Sequence, residues 1–312
     1  LVIGTLTTAD TDQTTGVKFK YALAEITGSD YAAFSINQST GELSLKAQPD
    51  YETKSSYSVT ILSTDEGGKT FSKSFTVSIT DASEAPTLTV PTGGSVTEDA
   101  VASTITGSLV GSDPEDDSLT YSVVGSTPSS GSYSVTGTYG TLVLNASTGA
   151  YTYTLNNSAT VVQALGASSS ETETFSVKVS DGTNTPAAQN LVFTIKGAND
   201  APSSVALDST SVVENSAGAI VGALSGSDAE GTSVSYSVAS SGDGASFEID
   251  SSNNLKLKSS VSADRETKST YSVTVDASDG DATTSKSFTI SVGDVDEAPT
   301  LTVSTGGSVT ED

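Results

Sequence analysis

Cysteine, histidine, methionine and tryptophan are all absent from this 312-residue chain. Without cysteine, the chain has no disulfide bond and no thiolate ligand for a metal ion. Without histidine, it has no imidazole ligand, and the Ser–His and Cys–His arrangements of nucleophilic catalysis are excluded. Paired carboxylates of the kind used in glycoside hydrolysis are the catalytic option that this composition leaves. We do not expect an enzyme, because the acidic residues recur in a pattern that indicates metal binding.

Basic residues are also scarce. The chain has 13 Lys and Arg against 38 Asp and Glu, which gives a formal net charge of −25. This charge argues against nucleic acid and against anionic membrane surfaces as partners. No apolar run is long enough to cross a bilayer, so membrane insertion is not expected. The charge favours bound cations or a solvated acidic surface.

The hydrophobic fraction is only 35%, below the usual ~45–50%, yet apolar residues alternate strictly with Ser and Thr. Alternation with period two is typical of half-buried antiparallel strands. It predicts hairpins at 34–45, 137–155 and 247–257, and strands at 19–23, 57–61, 75–79, 119–123, 175–179, 191–195, 271–275 and 288–292. Residues 161–166 are expected to form one short helical turn, and no amphipathic helix of useful length is predicted. The predicted fold class is therefore all-β.

A short motif of oxygen-bearing side chains that ends in Ala-Pro occurs three times, at residues 81–86, 197–202 and 294–299. Each copy follows a predicted strand. The motif therefore predicts three units, at 1–85 (unit one), 86–201 (unit two) and 202–298 (unit three), each of a length that suits one β-sandwich. Residues 299–312 nearly copy the start of unit two and predict the start of a further unit. We expect Ig-like Greek-key sandwiches arranged end to end, a truncated first strand in unit one, and an origin in a longer array.

Acidic residues recur at corresponding positions in these units, which we call acidic stations. A Glu lies near the start of units two and three, acidic pairs spaced i, i+2 follow in loops (Asp10 and Asp12 in unit one), and an Asp follows a late strand. Any single Asp-x-Glu of this kind is typical of a solvated turn, but recurrence in three units favours a metal. Calcium takes about six to eight oxygen ligands, magnesium requires a tighter octahedral shell, and zinc and copper prefer nitrogen or sulfur. The pattern therefore predicts calcium.

These stations resemble the cadherin repeat over nearly the whole chain. Four motifs carry the likeness: Asp228-Ala229-Glu230, Asp264-Arg265-Glu266, Asp279-Gly280 and the linker Asn199-Asp200-Ala201-Pro202. Unit two, with its longer hairpin, resembles the VCBS repeats of bacterial surface proteins. The combination resembles the extender region of large bacterial adhesins, including those of the RTX type. Two units depart from the acidic triplet of the family, with Asp50-Tyr51-Glu52 in unit one and Glu171-Thr172-Glu173 in unit two.

The resemblance implies that each junction draws its calcium ligands from both neighbouring units. For the junction of units one and two (junction one) it implies Asp50, Glu52, Asp81, Glu84, Asp113, Glu115 and Asp181. For the junction of units two and three (junction two) it implies Glu98, Glu171, Glu173, Asn199, Asp200, Asp228, Glu230 and Asp279. For the end of unit three (junction three) it implies Glu214, Asp264, Glu266, Asp294, Asp296 and Glu297. We expect junction three to be the least complete, because little of the next unit is present.

The resemblance also implies a function. It implies a calcium-rigidified spacer of an extracellular bacterial cell-surface adhesin, which supports adhesion and biofilm formation. The implied partners are calcium ions and adjacent repeats of the same chain, and we expect a monomer. The alternative is that unit two itself binds a glycan or a protein, with Tyr139, Tyr151 and Tyr153 of its hairpin lining a sugar-binding face. Cross-strand aromatic packing is the favoured interpretation of these three residues.

Overall fold

The computed structural model describes residues 1–11, 18–302 and 306. Asp12 and most of the segment 299–312 therefore lie outside the described residues. The described part of the chain consists of β-strands with two single-turn 3-10 helices and one short α-helix. The prediction of an all-β fold in tandem domains is confirmed. Within these described ranges, no helix has the length and apolar character needed to span a membrane.

Unit one forms two three-stranded sheets. Its strands are β1 (Val2–Thr5), β2 (Lys20–Leu23), β3 (Phe34–Ile36), β4 (Glu42–Leu45), β5 (Ser56–Thr64) and β6 (Thr70–Ser78). The sheet orders are β1-β4-β3 and β2-β5-β6. The predicted hairpin at 34–45 is confirmed as the antiparallel pair β3 and β4. Its turn needs glycine at Gly41, where φ is 72° and an added Cβ would lie 3.0 Å from the ring of Tyr21.

Unit three has the same scheme with two additional short strands. Its strands are β17 (Ser203–Leu207), β18 (Ser211–Val213), β19 (Ile220–Ser227), β20 (Ser235–Val238), β21 (Phe247–Ile249), β22 (Asn254–Leu257), β23 (Thr270–Ser278) and β24 (Thr283–Gly293). They form the sheets β17-β19-β22-β21 and β18-β24-β23-β20. The chain enters through β17 in one sheet and crosses to β18 in the other, where β18 pairs in parallel with β24. Entry and exit strands therefore meet at the end of the unit that leads to junction three.

Unit two follows the same entry pattern and carries a longer hairpin. Its elements are β7 (Thr87–Thr89), β8 (Ser95–Thr97), β9 (Thr104–Ser108), β10 (Val110–Ser112), β11 (Thr120–Val123), β12 (Ser132–Thr136), β13 (Gly140–Asn145), β14 (Ala150–Leu155), α1 (Thr160–Gln163), β15 (Ser170–Ser180) and β16 (Gln189–Lys196). The sheets are β11-β15-β16-β8, β12-β13-β14-β9 and the pair β10-β7. The predicted hairpin (137–155) is confirmed as β13–β14, and the predicted helical turn (161–166) is found as α1, which begins one residue earlier and ends at Gln163.

Each unit has its own apolar core, and the three cores are separate clusters. In unit two, the ring of Tyr153 is fully buried and stacks on Phe193 with 4.3 Å between ring centroids. Tyr151 is 4% exposed and meets Phe193 edge to face. Both tyrosines are thus core residues, as the packing interpretation requires, but their aromatic partner Phe193 lies on the opposite sheet and not on a neighbouring strand. Neither can line a sugar-binding face. Separate cores agree with tandem units, while the unit boundaries and the truncated first strand stay predictions.

Candidate metal centres at the junctions between units

Junction one gathers carboxylates from both of its neighbours. One carboxylate oxygen from each of Glu52, Asp81, Glu84 and Glu115 lies within 4.8 Å of the other three. Glu115 belongs to unit two, and its Oε1 accepts a hydrogen bond from the backbone N–H of Glu84 in the linker at 3.1 Å. Like charges about 4 Å apart repel by about 1 kcal/mol in water and by more when water is excluded. The group therefore requires protons or a cation.

The pKa of Glu84 reflects this crowding. Its hydrogen bond with Glu115, its desolvation and the nearby negative charges of Glu115, Glu52 and Asp81 raise its pKa from 4.5 to about 7. The pKa of Glu52 is also raised. Its own backbone N–H acts to lower it, but desolvation and the charges of Asp81 and Glu115 outweigh that effect. A carboxylate with a raised pKa is one whose charge lacks a compensating partner.

The acidic loop of unit two presents unpaired oxygens to junction one. Oδ1 of Asp113 accepts the backbone N–H groups of Glu115 at 3.2 Å and Asp117 at 3.1 Å, which closes the loop. Its Oδ2 is buried and has no hydrogen-bond partner, and the same holds for Oε2 of Glu115. Burial raises the pKa of Asp113. One oxygen of each acid thus shapes the protein, and the other is left for a ligand.

Junction two repeats this arrangement with different residues. Oδ1 of Asp228 accepts the N–H of Thr232 at 3.1 Å, and Oε1 of Glu230 accepts the linker N–H of Asp200 at 2.8 Å. The second oxygens of both acids are buried without a partner. Nδ2 of Asn199 donates to Oδ2 of Asp279 in unit three at 3.0 Å, which fixes the linker against that unit. The acidic loop of the following unit therefore contacts the linker in the same way at junction one and junction two.

Unit two closes junction two from the other side with Glu98, which is only 1% exposed. Its Oε1 accepts the N–H of Ala198 at 2.7 Å, and its Oε2 is buried without a partner. Desolvation, together with the charges of Asp200, Asp99 and Glu230, raises the pKa of Glu98. Desolvation and the neighbouring Asp99 carboxylate raise the pKa of Asp200 from 3.8 to about 6.

Unpaired buried oxygens are the feature that these two junctions share. Across the described ranges, such side-chain atoms belong to six residues, all of them predicted calcium ligands: Glu98, Asp113, Glu115, Asp200, Asp228 and Glu230. A buried charged group without a partner costs more than the ~1–3 kcal/mol of a neutral one. Hard cations that prefer oxygen ligands and tolerate irregular geometry, bound at both junctions, would satisfy all six oxygens. The residues present therefore fit calcium.

Junction three is built from a different balance of contacts. Carboxylate oxygens of Glu214, Glu266 and Asp294 lie within 4.8 Å of one another. Oε1 of Glu214 accepts the N–H of Val295 and Oε2 accepts that of Arg265, both at 2.7 Å. These two bonds lower the pKa of Glu214. The Arg265 guanidinium lies 3.3 Å from Asp294. Part of the charge is thus neutralised by the protein itself.

Several predicted ligands have other partners. Asp50 accepts the N–H of Thr53 at 2.9 Å, and Asp264 accepts that of Thr267 at the same distance, so both hold turns that present Glu52 and Glu266. Oδ1 of Asp181 likewise accepts the N–H groups of its own turn. Asp296 is exposed in the linker and is not in the group formed by Glu214, Glu266 and Asp294. Glu297 accepts a hydrogen bond from Nδ2 of Asn215.

Glu173 differs most from its predicted place. It is 6% exposed, and its Oε1 accepts the backbone N–H groups of Thr138 and, at 3.0 Å, Tyr139. Its Oε2 accepts the N–H of Gly140 at 3.1 Å and the hydroxyl of Tyr153 at 2.7 Å. Four donors satisfy this carboxylate inside unit two. Glu171, two residues earlier on β15, is exposed, and its charge helps to raise the pKa of the Tyr139 phenol, after the larger effect of burial.

Two residues at the junctions were not predicted. Nδ2 of Asn184 donates to Oγ of Ser83 at 2.8 Å and to the carbonyl of Glu84 at 2.9 Å, so it ties unit two to the first linker. Asp99 at junction two lies next to Glu98 and close to Asp200. The signal for Asp99 was its position beside the first acidic station. The signal for Asn184 was its place three residues after Asp181.

Tandem sandwich units joined by carboxylate-lined linkers define a class of repeat protein, and two protein-family models match this chain. The cadherin domain model matches residues 2–80 and 208–293, which together are just over half of the chain. The bacterial cadherin-like domain model matches residues 83–197 between them. The chain belongs to the cadherin family. Cadherin repeats are non-enzymatic adhesion modules of extracellular regions, and they typically bind calcium.

Individual relatives agree with this assignment. The chain is 28% identical over 288 residues to protocadherin Fat 4 of Mus musculus, a match that covers 86% of the chain and 5% of that protein. Extracellular cadherin domains 3–6 of protocadherin gamma B2 superpose with a TM-score of 0.54 at 19% identity, covering 89% of this chain and 66% of that one. Human CDH23 EC21-23 gives a TM-score of 0.53 at 16% identity, covering 88% of each chain. The structural matches show a shared fold.

Proposed function

We propose that this chain is a calcium-rigidified spacer in the extender region of a bacterial cell-surface adhesin. The observation that carries the proposal is the set of buried carboxylate oxygens without partners at junctions one and two. Bound calcium would supply the positive charge that these oxygens lack. The bacterial cadherin-like match over residues 83–197 supports the bacterial source. The likeness of unit two to VCBS repeats, and of the whole to RTX-type adhesins with a role in biofilms, rests on sequence motifs.

The proposed ligands follow from the geometry. At junction one they are Glu52, Asp81, Glu84, Asp113 and Glu115, and at junction two they are Glu98, Asp200, Asp228 and Glu230. Asp181 lies beside the first linker, which it contacts through Asn184, and Asp279 lies beside the second, where it accepts a hydrogen bond from Asn199. Glu173 is not among them, because its four donors already satisfy it. Asp50, Asp264 and Asn199 have positioning roles in turns and in the second linker. At junction three, Glu214, Glu266 and Asp294 form the group.

Rigidity follows from charge. Each acidic loop is anchored in one unit and hydrogen-bonded to the linker of the other, so a cation shared between them would restrain the angle between units. Without calcium, several negative charges repel one another within a few ångströms, and a few hydrogen bonds between the linker and the neighbouring units are what holds each junction. Loss of calcium should therefore widen the range of angles between units while each sandwich keeps its own core.

The absence of cysteine allows a direct test. Spin labels on Ser129→Cys in unit two and Ser251→Cys in unit three, both exposed, report the distance across junction two. We expect a narrow distance distribution with calcium and a broad one after chelation. Small-angle scattering of the unlabelled chain should show an extended rod with calcium, and light scattering should show a monomer. Identical distance distributions and identical melting curves with and without calcium would overturn the proposal.

Glycan or protein binding by unit two has less support. Two of the three tyrosines that suggested it are buried in the core of that unit. Binding of the full chain to a glycan array would nevertheless restore this alternative. Direct binding by unit two does not depend on calcium-dependent stiffening of the junctions.

A further inference from the structure

Unit two has no acidic residue between α1 and β15, where unit three carries the triplet Asp264-Arg265-Glu266. In unit three, the backbone N–H of Arg265 in that triplet satisfies Oε2 of Glu214. Glu98 is the counterpart of Glu214 in unit two, because each follows a short strand that pairs in parallel with the last strand of its unit. Its Oε2, however, is buried without a partner in a residue that is 1% exposed. An oxygen that serves the fold in unit three is therefore free in unit two.

The next residue along the chain differs in charge between the two units. Asp99 and Asn215 both have left-handed backbone conformations, with φ of 54° and 64°. Asn215 donates its Nδ2 to the linker residue Glu297 and adds no charge to junction three. Asp99 instead adds a carboxylate to junction two, beside Glu98 and Asp200. The position is thus a hydrogen-bond donor in one unit and an acceptor in the other.

Two side chains of unit two hold the Asp99 carboxylate in place. Oδ1 of Asp99 accepts Nδ2 of Asn157 at 2.5 Å and Nε2 of Gln163 at 3.4 Å, and the Asp99 N–H donates to Oδ1 of Asn157 at 2.9 Å. Asn157 lies in the loop after β14, and Gln163 lies in α1. Both lie in the connection from β14 to β15, which corresponds to the connection from β22 to β23 that carries the triplet in unit three. This connection therefore reaches junction two and orients an acid there.

We infer that Asp99 is a calcium ligand of junction two, and that with the free oxygen of Glu98 it replaces the ligands that a triplet supplies in unit three. Asn157 and Gln163 are positioning residues for Asp99. The inference rests on the proposed function, because it concerns the same cation site. Each carboxylate added to a calcium site strengthens binding, and calcium accepts an irregular ligand set. Unit two would thus keep its affinity for calcium without the triplet.

The test uses the full chain with spin labels at Ser129→Cys and Ser251→Cys, and follows the calcium concentration at which their distance distribution narrows. Asp99→Asn removes the charge but keeps a residue that tolerates the left-handed conformation, so its fold should persist. Glu42→Gln, at an exposed position on β4, is the control for loss of one charge. A second label pair, Ser72→Cys and Ser129→Cys, reports junction one in the same variants.

We expect Asp99→Asn to raise the calcium midpoint of junction two by about tenfold or more, consistent with the dependence of calcium affinity on ligand charge. Glu42→Gln should match the parent chain, and junction one should be unchanged in both. Asn157→Ala, which leaves every carboxylate in place, should shift the midpoint of junction two in the same direction by a smaller factor. This inference is wrong if calcium narrows the distance distribution of the parent chain and the Asp99→Asn and Asn157→Ala variants have the same calcium midpoint as the parent chain. If the parent chain itself shows no response, the proposed function is wrong.

Discussion

Glu230 of unit three and Asp200 of the second linker are joined by a hydrogen bond of 2.8 Å, from the Asp200 backbone N–H to Oε1 of Glu230. Glu115 and Glu84 have the same relationship one unit earlier, at 3.1 Å. In both cases the acceptor's other oxygen is buried without a partner. Each linker N–H stands two residues before the proline of its motif. In each case this bond ties the linker to the acidic loop and leaves the other oxygen of the same carboxylate for a cation.

Neutralising Glu98 should change the melting temperature differently in the absence and in the presence of calcium. In Glu98→Gln, a buried charge near Asp200 and Glu230 is lost, so repulsion at junction two falls. We expect the melting temperature in chelator to stay equal or rise, and the increase produced by calcium to shrink. Differential scanning calorimetry in chelator and in millimolar calcium measures both. Glu42→Gln is the control, and a Glu98→Gln chain with the full calcium-induced increase would contradict the prediction.

The pH dependence without calcium should run opposite to that of a protein stabilised by ion pairs. The folded-state pKa of Glu84 is raised from 4.5 to about 7 and that of Asp200 from 3.8 to about 6. A carboxyl whose pKa is raised by folding stabilises the folded state below its unfolded pKa, and this contribution is lost as pH rises through the folded value. We therefore expect the melting temperature in chelator to fall as the pH is raised from about 5 to about 8.

Calcium should reverse this trend, because a protonated carboxyl cannot bind the ion. As pH falls through about 7 and then 6, protons compete for Glu84 and Asp200, so calcium affinity should weaken. Calorimetric titrations at pH 8 and pH 5.5 in buffers of different ionisation enthalpy would measure the affinity and the protons released. Equal affinity at both pH values, with no proton release, would contradict this expectation.

Asn184 should control junction one without affecting junction two. Its Nδ2 donates to Ser83 and to the Glu84 carbonyl, and Asn184→Ala removes both bonds. We expect a cost of about 1 kcal/mol or less per bond in stability, and a broader distance distribution for labels at Ser72→Cys and Ser129→Cys. The label pair across junction two is the internal control. Equal broadening at both junctions would show that the variant disturbs unit two as a whole.

Glu173 should matter for the stability of unit two and not for calcium. In Glu173→Gln, the new amide N–H₂ cannot accept from the donors that one carboxylate oxygen now satisfies, so buried donors lose their partner. A loss of about 2–4 kcal/mol in the free energy of unfolding is expected. The matched control is Glu171→Gln, two residues earlier on the same strand and exposed, which should change stability by less than about 0.5 kcal/mol. Chemical denaturation measures the stability of both variants, and calcium titration measures their calcium midpoints. An unchanged stability or a shifted calcium midpoint in Glu173→Gln would contradict the prediction.

The predicted strands are confirmed, while the predicted ligands stay predictions. Alternation of apolar and polar residues placed the long strands correctly, because period two fixes which side chains face the core. For 191–195 the structure has Gln189–Lys196, and for 271–275 it has Thr270–Ser278. The ends of these strands were not predictable from the pattern, since they depend on the turns that pair them. Glu173 shows the limit for the ligands, because it shares its strand and its alternation with Glu171.

Residue types and their spacing are enough to predict an all-β chain of repeated units whose metal ligands are oxygen atoms. The same prediction included all six acids with unpaired buried oxygens among the metal ligands. Which of the predicted carboxylates have an oxygen free of hydrogen-bond donors became clear only from the folded chain. Glu173 is satisfied by a turn more than 30 residues away along the chain, and Asp99 is oriented by Asn157 and Gln163, about 60 residues away. Whether a carboxylate meets a backbone N–H or is left for a cation depends on which distant segment packs against it, and spacing along the chain carries no information about that.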